Sequence, residues 1–145
     1  MKDSLCFHTL VIGSGCAGWN AADQLKMLGI DSVALITEDV NSGTSRNTGS
    51  DKQTYYKLSL SGDIPDSVGS MASSLLGPDV NGDTALCEAA SSAFCFLRLA
   101  NLGVPFPTNE YGEYVGYQTD HDNTCRASSA GPLTSRFMAE ALEKS

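Results

Sequence analysis

Three glycines near the start of the chain have the spacing of a phosphate-binding turn: Gly13, Gly15 and Gly18 form a Gly-x-Gly-x-x-Gly pattern. In such a turn the first glycine permits a tight bend, the second lets the backbone approach a pyrophosphate, and the third allows a helix to pack close to a strand. A helix beginning near Cys16 and Ala17 would point its free amides and positive dipole end at the phosphates. The pattern predicts a site for a dinucleotide diphosphate; the alternative is a purely structural turn.

Two side chains further along the chain are candidates for binding the ribose of the same dinucleotide. Thr37 and Glu38 follow a short apolar run, and they lie about twenty residues after the glycines, as an acidic ribose-binding residue does in such units. A hydroxyl or carboxylate at that position can accept a hydrogen bond from an adenosine ribose hydroxyl. The alternative is that Glu38 and Asp39 form a solvated acidic turn.

The thiol of Cys16 admits two hypotheses. The positive end of a helix could lower its pKa and make it a redox thiol. The other hypothesis, which we favour, is that Cys16 is a small residue facing the phosphates.

A polar loop at residues 41–53, called the Ser/Thr loop below, follows; it is rich in Ser, Thr, Gly and Asn. Its hydroxyls, amides and one cation could form hydrogen bonds with a flavin ring and its diphosphate. The candidate residues are Ser45, Arg46, Asn47 and Thr48. A glycine fingerprint does not distinguish a nicotinamide dinucleotide from FAD, and this loop favours FAD.

These residues need a strand, a helix and a second strand to position them. Leu5 to Ile12 is a mostly apolar run that ends at the glycines, and from Ala17 the apolar spacing becomes helical. Gly29 is placed to end that helix in a left-handed conformation, and Val33 to Ile36 is a second apolar run. The order predicts a βαβ unit with parallel strands.

The second half of the chain is predicted to be mainly helical. A long helix is expected to begin with Asp83 as N-cap and to end at Gly103 and Pro105. Its predicted apolar face consists of Leu86, Ala90, Ala93, Phe94, Leu97 and Ala100. The other predicted elements are a short helix from about Pro65 to Leu76, a hairpin turn at 109–112 between short extended pieces and a final helix from Pro132 towards Leu142.

The predicted fold class is therefore α/β, with a Rossmann-like dinucleotide-binding core over residues 1–62 and a mostly helical continuation over 63–145. A βαβ unit calls for further parallel strands beside its first two. The last helix should feed a strand that the sequence does not contain. We therefore expect the chain to be incomplete, with the remainder of the same protein as its partner.

Composition excludes several classes of protein. The 145 residues are 41% hydrophobic and 18% charged, which is incompatible with wholesale disorder, and the net charge of −8 argues against nucleic acid as a partner. No apolar run approaches the roughly 18 residues that span a bilayer. Five widely spaced cysteines with only two histidines suit reduced thiols better than disulfides or a metal site. We expect a cytoplasmic protein without a metal or a membrane segment.

Several of these segments resemble the N-terminal FAD-binding region of the succinate dehydrogenase, fumarate reductase and L-aspartate oxidase flavoproteins. The resemblance covers residues 11–18, the strand 33–36 and the Ser/Thr loop as far as Thr48. It continues, less specifically, through residues 102–106, Tyr111-Gly112 and Arg126. The second part of the chain, 63–145, would then begin the substrate-side region of such an enzyme.

The resemblance implies non-covalent FAD and hydride transfer between the flavin and a small organic substrate. Respiratory members of the family bind the flavin covalently through a histidine in the loop, and Asn47 stands at that place here. The usual glycine pair after the loop is replaced by residues 51–53, whereas 128–131 resembles soluble fumarate-reductase-like members. A later part of such chains contributes the acid or base, so no catalytic residue is assigned and the chain is not expected to be active alone.

Two other functions remain open on the sequence, an NAD(P)-dependent dehydrogenase and a non-catalytic dinucleotide-binding or interaction module. The sequence also leaves two alternatives for the role of each of two polar residues. His121, between Asp120 and Asp122, is either a titrating group with a raised pKa or part of a solvated turn. Arg126 either holds a substrate or cofactor anion or forms a structural ion pair.

Overall fold

The structure is a computed structural model, and it describes residues 4–51 and 53–145. Strands and helices alternate at first, and a helical pair and a β-hairpin follow. In chain order the elements are β1 (Thr9–Ile12), α1 (Cys16–Met27), β2 (Val33–Ile36), α2 (Thr44–Asn47), β3 (Tyr55–Tyr56), α3 (Val68–Leu75), α4 (Gly82–Asn101), β4 (Tyr117–Thr119), β5 (Asp122–Ser128) and α5 (Thr134–Glu143).

The predicted βαβ unit is present. β1 and β2 are parallel neighbours, with Thr9 opposite Val33 and Ile12 opposite Ile36, and α1 connects them. Gly29 ends the turn after α1 with a φ of +80°, a conformation that glycine adopts without strain. The predicted strand was too long, because β1 begins at Thr9 rather than Leu5.

A second sheet was not predicted. β3, β5 and β4 form an antiparallel sheet in that order, with Tyr55 opposite Ser128. β3 precedes residue 62 and β5 follows it, so the two predicted segments share this sheet. The prediction for residues 63–145 placed short extended pieces around residues 109–112, whereas the two strands are Tyr117–Thr119 and Asp122–Ser128. Residues 110–112 do form a turn, but the hairpin of β4 and β5 closes at Asp120 and His121 instead.

The N-cap of α4 is not the one predicted. Asn81, rather than Asp83, caps the helix: its Oδ1 accepts from the amides of Asp83 at 2.9 Å and Thr84 at 3.2 Å. Asparagine is as good an N-cap as aspartate, and its position two residues earlier brings its oxygen to the orphan amides of the first turn.

The buried face of α4 also differs from the predicted apolar face. Leu86, Phe94 and Leu97 are 50%, 65% and 41% exposed. The buried residues are instead Ala85, Ala89, Ser92, Phe96 and Leu99. Both sets recur at helical spacing, so periodicity alone does not choose between them. The small residues are the ones that face α3, where Ala89 packs against Met71 and Ala72.

The main hydrophobic cluster joins α4, α5 and β3. Phe96 is its centre, with its ring centroid 4.4 Å from that of Phe106 and 5.6 Å from that of Tyr55. Val104 and Leu142 complete the buried part of the cluster with Leu99. In the described part of the chain, no helix has both the length and the apolar character needed to cross a bilayer.

Lys57 is completely buried beside this cluster. Its Nζ donates to the Leu58 carbonyl at 3.4 Å and lies 4.8 Å from the Phe96 ring centroid. Among the described residues it forms no ion pair with a carboxylate. Burial lowers the pKa of Lys57, and the nearby charge of Asp66 only partly opposes this effect.

Because the buried amine lacks a strong partner, we expect Lys57→Met to leave the free energy of unfolding unchanged or to raise it by about 1 kcal/mol. Urea unfolding at neutral pH measures this. Lys57→Ala is the control, since it also removes the packed stem and should destabilise the fold. A loss of stability in the methionine variant as large as that in the alanine variant would contradict the expectation.

Candidate functional site

The turn after β1, residues 13–18, is called the glycine turn below. The backbone conformation and packing require glycine at two of its positions. Gly13 has a φ of +102°, and its amide donates to the Ile36 carbonyl at 2.7 Å, which joins the turn to β2. A Cβ on Gly18 would lie only 1.9 Å from the Gly13 carbonyl oxygen. Neither position tolerates a side chain without a shift of the backbone. The roles expected for the first and third glycines, a tight bend and close helix packing, match this geometry.

Gly15 is different, because the fold alone does not require it. Its φ of −77° and ψ of 177° are ordinary extended values, and a Cβ there would meet only Ser45 Oγ, at 3.4 Å. A larger side chain would fill the space in front of the first turn of α1. The amides of Ala17 and Gly18 in that turn have no intrahelical acceptors, and the positive end of the helix dipole points the same way. The residues present therefore fit a diphosphate.

On one side of the glycine turn, a cluster of hydroxyls joins it to the end of β2. Ser14 is buried, and its Oγ lies 3.0 Å from Thr37 Oγ1 and donates to the Asp39 carbonyl at 3.3 Å. Thr37 also donates to the Asp39 carbonyl, at 3.2 Å. Glu38 is exposed and forms no hydrogen bond or ion pair with the rest of the described chain. Of the two ribose candidates, Glu38 is the one whose side chain is free.

On the other side, the Ser/Thr loop contacts the glycine turn. A Cβ on Gly43 would lie 3.7 Å from the Gly15 nitrogen. Ser45 Oγ accepts a hydrogen bond from the Cys16 amide at 3.2 Å. This hydroxyl therefore takes an acceptor position on the first amide of α1, where a phosphate oxygen could also bind.

The other loop candidates have partners within the protein. Arg46 forms an ion pair with Glu143 and lies 3.9 Å from Glu140, so it ties α2 to α5. Asn47 Nδ2 donates to the carbonyls of Asn41 at 2.7 Å and Gly43 at 3.0 Å. Thr48 Oγ1 donates to the Thr44 carbonyl at 2.7 Å. In this arrangement Asn47 shapes the loop, whereas Arg46 keeps one buried donor, its Nε, without a hydrogen-bond partner among the described residues.

Cys16 is not an activated thiol. Its Sγ donates to the Ser135 carbonyl at 3.4 Å. Burial raises the pKa of the Cys16 thiol, and the smaller opposing effects of Ser45, the backbone and Arg46 do not overcome it. A redox thiolate needs a lowered pKa, so this environment does not support the redox hypothesis.

A polar pocket of about 410 Å³ lies between the Ser/Thr loop and α5. Ser45 lines this pocket and also accepts the hydrogen bond from the Cys16 amide, so it lies between the pocket and the glycine turn. Most of the lining residues carry a hydroxyl or an amide group, among them Thr44, Ser45, Thr48, Gln53, Thr134 and Ser135. Sequence reasoning missed the last three. Their only signal is the polar pair Thr134-Ser135, which follows Gly131, Pro132 and Leu133 at the start of a helix, and the glutamine that ends the loop.

Arg126 forms a structural ion pair rather than an anion site. It is 2% exposed, and its Nε and Nη2 donate to the two carboxylate oxygens of Asp66 at 2.9 and 2.6 Å. Its remaining donors reach Ser70, Ser74 and Tyr56 at 2.9, 2.8 and 3.2 Å. The hydrogen bond from Arg126 contributes most to lowering the pKa of Asp66 to about 2, and the backbone amides of Ser59 and Ser67 add to this effect. The guanidinium has no donor left for a ligand.

His121 lies at the exposed tip of the β4–β5 hairpin. Asp122 turns away from it and accepts hydrogen bonds from Tyr56 and Thr124. The imidazole forms no hydrogen bond or ion pair with any other described residue. The structure therefore favours the solvated turn over a histidine paired with a carboxylate.

No protein-family model matches the sequence, and no curated protein matches it. Fourteen chains of solved structures match the fold. One is Sdh1 of Mycobacterium smegmatis, in a structure in complex with UQ1, with a TM-score of 0.81 and 17% sequence identity. The match covers 95% of this chain and 23% of the Sdh1 chain. At this identity the likeness establishes a shared fold, and the chain spans about a quarter of the length of that neighbour.

Proposed function

We propose that this chain is the FAD-binding part of an oxidoreductase of the succinate dehydrogenase and fumarate reductase type. The observation that carries the proposal is the glycine turn. Gly13 and Gly18 are demanded by the backbone, whereas Gly15 faces a space that a side chain would fill, next to the first amides of α1. The fold shared with Sdh1 over 95% of the chain supports the same assignment.

Each part of FAD has a corresponding group of residues. The backbone at Gly15 and the amides of Ala17 and Gly18 would bind the diphosphate, since the Cys16 amide already donates to Ser45. The Glu38 carboxylate, beside Thr37 at the end of β2, would accept a hydrogen bond from a ribose hydroxyl. The pocket between the Ser/Thr loop and α5 would hold the flavin side through Ser45 and Thr48.

The attachment of FAD would be non-covalent. An asparagine amide does not form the bond that a loop histidine forms in the respiratory flavoproteins, and Asn47 is held by two backbone carbonyls. FAD, when bound, supplies hydride transfer, and the residues of this chain bind it, orient it and exclude water.

The substrate-binding site and the proton donor would lie elsewhere in a longer protein. The described residues that line the pocket carry no charge, and the guanidinium groups of Arg46 and Arg126 are already paired with carboxylates. The chain spans 23% of the Sdh1 chain. The proposal therefore assigns cofactor binding to this chain, and the small organic substrate and catalytic acid or base to the remainder.

The visible spectrum of the protein as purified tests the proposal. We expect flavin absorption bands, and acid or heat should release the chromophore as unmodified FAD because the attachment is non-covalent. A colourless, folded protein that binds NAD but not FAD would contradict the proposal and favour a nicotinamide-dependent dehydrogenase. Binding of neither dinucleotide would favour a non-catalytic module.

A further inference from the structure

We propose that Gln53 is a positioning residue that sets the separation of the two walls of the polar pocket between the Ser/Thr loop and α5. The inference rests on the proposed function, in which this pocket holds the flavin half of FAD. Gln53 and Ser135 form a reciprocal pair: the Ser135 amide donates to Gln53 Oε1 at 3.1 Å, and Gln53 Nε2 donates to Ser135 Oγ at 2.9 Å. The pair joins the end of the loop to the first turn of α5.

The first turn of α5 has no capping side chain of its own, so a residue from another part of the chain must accept its amide hydrogen bond. Leu133 occupies the N-cap position of α5 and offers no side-chain hydrogen bond. The amides of the first helical turn lack intrahelical acceptors, and Gln53 supplies one of them from 82 residues away. A glutamine amide contains both a donor and an acceptor, so one planar group satisfies the amide and the hydroxyl of Ser135 together.

Ser135 also connects this wall to the diphosphate side of the site. Its carbonyl accepts the thiol hydrogen of Cys16 at 3.4 Å, and Cys16 is the first residue of α1. The far end of α5 is held separately, by the ion pair between Arg46 and Glu143. Loss of the Gln53 pair would therefore loosen the pocket end of α5, which would keep the contact of Ser135 with Cys16 and the hydrogen bond from the Ser50 amide to the Pro132 carbonyl, while its other end stays attached to the loop. The flavin side of the site would change, and the glycine turn would not.

Binding of FAD and of ADP separates these two sides, because ADP contains only the diphosphate and adenosine half. We expect Gln53→Leu to lower FAD affinity about tenfold, since each hydrogen bond of this kind changes an equilibrium several-fold, and to leave ADP affinity unchanged. Titration calorimetry on the purified protein, stripped of bound flavin, measures both. Gln118→Leu is the matched control: the Gln118 side-chain amide likewise donates a hydrogen bond, to the Asn123 carbonyl at 2.9 Å, but it lies in the β4–β5 hairpin.

A second variant keeps the test valid if Gln53→Leu folds poorly. Ser135→Ala removes the acceptor for Gln53 Nε2 and keeps the backbone pair, so it should lower FAD affinity less than Gln53→Leu and again spare ADP. The double variant should bind FAD no more weakly than Gln53→Leu alone, because both changes remove the same contact.

The outcomes distinguish this inference from the proposed function. If the wild type binds FAD and the variants bind it equally well, or if FAD and ADP weaken together, Gln53 does not position the flavin side. If the wild type binds neither FAD nor ADP, the proposed function fails and the inference fails with it. Weakened FAD binding with intact ADP binding supports the inference.

Discussion

Gly15→Val is expected to abolish FAD binding while leaving the chain folded. The extended backbone at this residue accepts any side chain, and a Cβ would meet only Ser45 Oγ, at 3.4 Å. The valine methyl groups would occupy the space that the diphosphate needs beside the amides of α1. Loss of two or more hydrogen bonds to charged phosphate oxygens should weaken binding by about a hundredfold or more.

Fluorescence titration with FAD measures this loss, and thermal unfolding shows whether the variant is folded. Gly69→Val is the matched control. Gly69 is an exposed glycine in α3 whose added Cβ would meet nothing within 4 Å, so its substitution should leave FAD affinity unchanged. Equal FAD affinity in the Gly15 variant and the wild type would remove the assignment of the glycine turn to a diphosphate.

Asp66→Asn is expected to cause the largest loss of stability. The substitution keeps the shape of the side chain but leaves the buried guanidinium of Arg126 with Asp122, 3.6 Å away, as its remaining carboxylate. Breaking a buried ion pair from one side lowers the free energy of unfolding by about 3–5 kcal/mol, and Asp122 should keep the loss near the lower figure. Removing the exposed pair of Arg136 and Glu140 by Arg136→Ala should change it by less than about 1 kcal/mol.

The pH dependence of unfolding gives an independent measurement of the same pair. The pKa of Asp66 is lowered from 3.8 to about 2, so the folded state favours the ionised carboxylate more than the unfolded chain does. Its contribution is complete above about pH 4 and is lost as the pH falls through about 2. Urea unfolding of the wild type should show this decline between these values, and Asp66→Asn should lack that part of it. An identical acid profile in both proteins would mean that Asp66 is not coupled to folding.

The structure of the first third of the chain could be predicted from the sequence because it depends on interactions between residues that are close along the chain. Gly13 and Gly29 have the positive φ values that their positions in the pattern require. Strand, helix and strand follow one another within a short stretch, so the alternation of apolar spacing is sufficient to order them. The prediction that the glycines open α1 required no distant contact.

The errors arose where distant segments meet. β3 contains only Tyr55 and Tyr56, which is too short for an alternating pattern, and its partner in β5 lies more than seventy residues away. For α4, two stripes of small and apolar residues have equal helical spacing. Which one is buried depends on α3, since Ala89 and Ser92 allow a close approach that Phe94 does not.

By itself, the sequence determined the βαβ unit and the glycine turn, because dihedral preferences and apolar periodicity act between near neighbours. Tertiary structure alone decided which polar side chains are free. Arg46 and Arg126 form ion pairs with carboxylates 97 and 60 residues away along the chain. Gln53 and Ser135 form hydrogen bonds although 82 residues separate them. Such pairings depend on how the helices and sheets pack, and no spacing within the chain encodes the distance between them.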